Sequence, residues 1–232
     1  MKELLAGSLF WGGFLTLGCY QLSVWLRGRL RNHPLANPML ITILLLMAFL
    51  TVCGIDYESY SSSTAPLQYL VTPATVCFAI PLYRQLQQLR RHGAALLCGI
   101  AAGVAANLVM VFLTYRVFAL TAQQHATLLP KSVTAAIATG ISAELGGAAV
   151  ITVASVMVTG VFGSIVAPLL LRLCRLTNPM AQGVALGSSA HVIGTARAME
   201  MGEIQGAMSS LAVVVAGLMT VAAAPIYMRL VG

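Results

Sequence analysis

From Ala148 to Leu171 the chain runs twenty-four residues without a charged side chain, and a second uncharged tract follows from Gly206 to Met228. A helix of that length measures about 35 Å, enough to cross the roughly 30 Å hydrocarbon core of a bilayer. The rest of the sequence supports the same reading. Only 8% of the 232 residues are charged and the mean hydropathy is +0.88, whereas a soluble domain is about one quarter charged. Most of the outer surface must therefore face lipid, where backbone N–H and C=O groups have to be paired internally. The composition predicts an all-α integral membrane protein.

Six segments read as spans: Leu4 to Leu26, Pro38 to Gly54, Leu67 to Tyr83, Ala94 to Tyr115, and the two uncharged tracts. The third holds Pro73 and Pro81 and should be kinked. The excess of Lys and Arg (13 against 6 acidic residues) would point to nucleic acid if it were clustered in a soluble domain. Most of the arginines fall instead in RGRLRNHP, RQLQQLRRH and RLCR, as cytoplasmic loops require, and Asp56 and Glu58 fall in GIDYESYSSSTAP, expected on the outer side. The five cysteines lack metal or redox spacing and read as packing residues. LTLGC near the N-terminus resembles a lipoprotein signal, but the apolar run continues past Cys19, so a retained first helix is expected. Gly12, Gly13 and Gly18 on that helix offer small residues for contact between copies, and a homodimer or higher homo-oligomer is expected.

Two polar segments interrupt the second half, residues 123–146 and 180–204. LLPKSVT carries a proline and a lysine, and GSSAHVIGTARAME carries two glycines beside its charges. In hydrocarbon such sequence persists only when buried in protein or facing a water-filled cavity. A shift of 57 residues lays Leu128–Ala138 over Ala185–Thr195 and pairs Ser132 with Ser189, Gly160 with Gly217, and Ala167-Pro168 with Ala224-Pro225. Each copy is thus a polar segment followed by one clean helix. If each polar segment is a re-entrant hairpin, the copies are inverted; if each is a broken helix that crosses fully, they are parallel. Returning RLCR to the cytoplasm favours the hairpin, although Arg229 is then left outside. Inverted units around a central polar site are a common plan of secondary transporters.

Lys131 follows Pro130 at a helix start, where free N–H groups and an ammonium suit a small anion; the plainer alternative is a lysine reaching for headgroups. Ser188, Ser189, His191 and Thr195, with Gly194 allowing close approach, form the second cluster, and His191 could carry a proton. Arg197 could join them or simply pair with Glu200 three residues on. Glu144, Glu200 and His191 are candidates for a coupling proton. Enzymatic motifs are absent: there is no H-E-x-x-H pair, G-x-S-x-G elbow or phosphate-binding GK[ST] loop. No cofactor or metal site is expected.

NPML near Asn37, LVTPATVCFAIPLYRQL from Leu70, LLPKSVTAAIA from Leu128 and GSSAHVIGTARAME from Gly187 resemble signature segments of the LrgB/CidB family of bacterial inner-membrane proteins, in order over the whole chain. The resemblance implies two functions. One is antiholin-like or holin-like regulation of murein hydrolase activity and autolysis. The other, through likeness to part of the plastid glycolate/glycerate translocator, is carriage of short carboxylates. It also implies a small LrgA/CidA-like membrane partner, and it marks Lys131, Ser132, Thr134, Ser189, His191, Gly194 and Thr195 as motif positions. The paired polar segments favour the carrier. The expectation is therefore an elevator-like transporter of glycolate, glycerate or pyruvate, coupled to protons or sodium, with residues 1–66 as scaffold and 67–232 as transport core; holin-like regulation is the alternative.

Overall fold

The computed structural model describes residues 10–29, 38–70, 73, 76–77, 79–84 and 86–231. All regular structure among them is helical: α1 (Trp11–Arg29), α2 (Pro38–Cys53), α3 (Tyr57–Ser63), α4 (Ala65–Tyr69), α5 (Ala79–Arg84), α6 (Leu86–Val117), α7 (Ala122–Leu128), α8 (Ala135–Glu144), α9 (Ala149–Leu173), α10 (Pro179–Met201) and α11 (Glu203–Val231). Among the described residues three helical stretches are long and apolar enough to cross a membrane: Arg90–Val117, Ala149–Leu173 and Glu203–Val231. The 16 residues of α2 reach only about 24 Å. The expected first span begins among residues outside the described set, and the kinked Leu67–Tyr83 span also lies partly outside it. The chain divides into two compact units, Met1–Cys77 and Phe78–Gly232.

In the first unit α1 and α2 are joined by buried hydroxyls, with Thr42 Oγ1 donating to Ser23 Oγ at 3.0 Å. The segment expected as a plain outer loop is instead helical over Tyr57–Ser63. Asp56 caps it by accepting from the Glu58 N–H at 3.1 Å, a local competition that Asp wins at helix starts. This helix packs on α1. Tyr60 OH lies 2.7 Å from Thr16 Oγ1 and the Tyr60 ring meets the edge of Trp11. A Cβ on Gly12 would collide with Ser63 Oγ, and one on Gly13 would touch Leu67, while Gly18 has open space. The expectation that Gly12 and Gly13 serve contacts between copies is therefore corrected: they close the packing within one chain.

The second unit is built around α6, α9 and α11. Arg84 at the end of α5 lies 3.7 Å from Glu203 at the start of α11, so α6 and α11 begin at the same end. Past α6, α7 returns beside it: the Tyr115 and His125 rings stack at 4.3 Å, and Asn107 Nδ2 donates to Leu129 O at 3.1 Å. The chain breaks between Leu129 and Thr134 at the middle of α6. Along α8 it comes back level with α7, because Thr152 Oγ1 of α9 reaches both Ser142 Oγ (2.7 Å) and Thr127 O (3.1 Å).

The second interrupted segment is one helical stretch with a break inside it. Asn178 caps α10 by accepting from the N–H groups of Met180 and Ala181 at 2.9 and 3.3 Å, and Pro179 stands at the first turn. Helical dihedrals fail at Ala190 and His191, the latter with φ 43°, a region that costs a side chain about 1–3 kcal/mol. Before the break Gly183 lies against Gln205 and Met208, and Gly187 against Ser209 and Ala212, in the same sense as α11. Beyond it Thr195 meets Ser209 and Met199 meets Gly206, in the opposite sense. The two legs of α10 thus run in opposite directions along α11.

The glycines matched by the 57-residue shift do equivalent work. Gly160 on α9 receives the His191 ring and Ile193, and Gly217 on α11 receives Ile137. α9 thereby contacts the second broken segment and α11 the first. Around these contacts Ile100, Val104, Val184, Met208 and Ala212 form the buried core between α6, α10 and α11. Small residues at such faces let helices approach closely where no water drives them together.

Candidate functional site

A cavity of about 630 Å³ lies between α6, the first break, α9 and the first leg of α10. Its polar positions are Asn107, Lys131, Ser132, Thr159, Ser188 and Ser189, and the remaining walls are apolar, with Met110, Val158, Phe162, Val166 and Leu170 among them. Lys131 is presented by the turn after Pro130. Its Nζ donates to Asn107 Oδ1 at 2.5 Å, and Ser132 Oγ donates to the same oxygen at 2.9 Å. Asn107 therefore fastens the break through three bonds, counting its own donation to Leu129 O. Its role was missed in the sequence, although an asparagine in an otherwise uncharged tract is itself a signal.

The structure gathers Lys131, Ser132, Ser188 and Ser189 at this cavity. Their hydroxyls are already committed. Ser188 Oγ donates to Val184 O at 2.8 Å and Ser189 Oγ to Ala185 O at 2.6 Å, both back into their own helix. Thr134 stands at the N-cap of α8 without a side-chain capping bond and is not in the lining.

The other expected site residues lie elsewhere. His191 is buried, with Nε2 3.0 Å from Val156 O, and does not line the cavity. Thr195 is buried between His191 O (3.1 Å) and Ser209 Oγ (2.8 Å). A Cβ on Gly194 would strike Leu186 O, so that glycine serves the approach of the two legs of α10. Arg197 pairs with Glu200 at 2.5 Å three residues along the helix, the plainer of the two alternatives. Glu144 is exposed at the end of α8. Lys131 and His191 thus do not face one ligand space.

Beside the site, Thr127, Ser142 and Thr152 form a buried hydroxyl cluster that carries the first break, and Thr127 Oγ1 also accepts from Ala148 N at 2.9 Å. Thr152→Val keeps the shape and removes the central hydroxyl, leaving Ser142 and the Thr127 carbonyl unpaired. The expected cost is about 1–3 kcal/mol, read as a lowered unfolding midpoint of the purified protein in detergent.

Comparison with known proteins completes the picture. A family model described as the LrgB-like family matches residues 16–230. The chain is 32% identical over 225 residues to the "Antiholin-like protein LrgB" of Bacillus subtilis (strain 168), covering 97% of each chain. It is also 32% identical over 216 residues to the "Holin-like protein CidB" of Staphylococcus epidermidis, covering 93% of this chain and 94% of the relative. The "Antiholin-like protein LrgB" of Bacillus cereus (strain B4264) is 32% identical over 223 residues, covering 96% and 97%. No solved structure matches. These names overturn the carrier expected from the sequence: they describe holin-like and antiholin-like proteins. With a family match over nearly its whole length, relatives of bacterial origin and three bilayer-length apolar helices among the described residues, the chain is a multi-pass protein of the bacterial inner membrane and a non-enzymatic member of the LrgB family.

Proposed function

We propose that this protein is a holin-like or antiholin-like regulator of murein hydrolase activity and autolysis. The observation that carries the reading is the 32% identity spread over 97% of both chains with an antiholin-like relative. The finer architecture we read as two re-entrant segments entering from opposite membrane faces, within inverted copies whose clean helices are α9 and α11. Residues 1–66 act as scaffold and oligomerisation surface, and 67–232 form the core that carries segments 123–146 and 180–204. The opposite running senses of the legs of α10, and the return of α8 beside α7, support this reading. A homo-oligomer and a small LrgA/CidA-like membrane partner complete the assembly.

The test is a deletion strain lacking every LrgB-like copy, complemented with this chain with and without its small partner. Detergent-induced lysis rates and murein hydrolase zymograms should change several-fold on deletion and return on complementation. Faster lysis in the deletion marks the antiholin sense and slower lysis the holin sense. Lysis curves and zymograms that match the parent in all strains would overturn the role.

A further inference from the structure

The cavity at the first break has features that regulation of lysis does not explain. Lys131 presents three N–H donors, and only one is taken up by Asn107. Among the described residues the ion pairs are Arg84–Glu203 and Arg197–Glu200, and no carboxylate accompanies Lys131. An ammonium in apolar surroundings without a counter-charge is costly, so the cavity is built for an anion.

The remaining walls restrict which anion. The hydroxyl hydrogens of Ser132, Ser188 and Ser189 are committed to Asn107 or to main-chain carbonyls, so of the lining hydroxyls only that of Thr159, next to Val158 on α9, is left to donate to a second set of ligand oxygens. A volume of about 630 Å³ is that of a drug-sized ligand and several times a two- or three-carbon acid. The lining follows α9 from Val158 to Leu171, about 20 Å of helix. Val158 and Phe162 line the cavity yet remain 69% and 65% exposed, so it is open along the side of two membrane-spanning helices. One positive group at the inner end, few free donors and a long apolar wall open to the side are complementary to a single head and a single tail.

We infer that this cavity is a binding site for a single-chain anionic amphiphile, a medium-chain carboxylate being the simplest case, with its head on Lys131 and its chain along the Val158–Leu170 face of α9. The site is independent of the lytic role proposed above, and its test does not use lysis.

The test uses the full chain in phosphatidylcholine nanodiscs with a photoreactive decanoate carrying a diazirine at the chain end, and a matched photoreactive decanol. The decanoate should label α9 saturably, in competition with unlabelled decanoate, and Lys131→Met should reduce that labelling at least tenfold while Lys131→Arg retains it. Val158→Trp, at an exposed position that tolerates bulk, should reduce it several-fold with Lys131 intact, which keeps the test valid if Lys131→Met folds poorly. Decanol should label weakly and without dependence on Lys131. The inference is overturned if decanoate and decanol label alike, if labelling spreads evenly over the lipid-facing helices, or if propionate competes as well as decanoate.

Discussion

Gly187→Ala should destabilise the protein by about 2–3 kcal/mol, while Gly140→Ala, also within a helix, should stabilise it by up to about 1 kcal/mol. The contrast lies in what a methyl group would meet. At Gly140 there is open space, whereas at Gly187 the new carbon would run into the Ser209 carbonyl, Ser209 Cα and the Ala212 methyl. Backbone atoms cannot rotate away as a flexible side chain would, so the first leg of α10 has to lift from α11 as a body. Thermal unfolding followed by fluorescence-detected size exclusion in mild detergent will read both changes. A Gly187→Ala protein as stable as the parent would mean that the two helices are not in contact there.

A larger loss is expected at Asn107. Asn107→Leu is close in volume but withdraws the partner of Lys131 Nζ, Ser132 Oγ and the Leu129 carbonyl together. Stranding a charged donor with two neutral polar groups should cost about 3–5 kcal/mol. Because the three bonds share one residue, the effects cannot be additive: Lys131→Met placed on top of Asn107→Leu should recover about 1–3 kcal/mol by removing the stranded ammonium. Denaturant unfolding of the four proteins in the cycle measures the coupling. Limited proteolysis at residues 129–134 should show that segment loosened in the single variant. Strict additivity would show that Asn107 does not hold the break.

The membrane character and the two breaks were legible because they follow from local chemistry. Uncharged tracts of bilayer length have one solvent, and Pro130, Lys131 and the cluster around His191 cannot sit in an ordinary span. The shift pairs Gly160 with Gly217, and in the fold each faces a side chain from one of the broken segments. What the sequence could not tell was which helix stands opposite which. Hydrophobic period is weak in a helix apolar all round, so nothing placed Asn107 against Lys131. Nor does a polar residue say whether its hydrogen bonds are free. His191 reads as a ligand in the sequence and is engaged by a main-chain carbonyl in the fold, the usual fate of buried polar groups. The carrier reading was overturned by the relatives, which are named as holin-like and antiholin-like proteins. The helix at Tyr57–Ser63 was missed because its serines resemble a loop, although an Asp at the N-cap with Glu58 in the first turn is a helix-start signal.

The contacts of α9 with the second broken segment and of α11 with the first also bear on how the chain is made. As it leaves the ribosome at about 5–20 residues per second, Gly160 enters the membrane before His191 and Ile193 exist to occupy it. The surface that receives Ile137 on Gly217 is synthesised later still. These contacts close only when the last helix is in place, so the nascent chain holds α9 with its Gly160 face unfilled until His191 and Ile193 follow. A stop codon ahead of Gly206 would yield, on this view, no smaller working half, only a chain marked for membrane proteolysis.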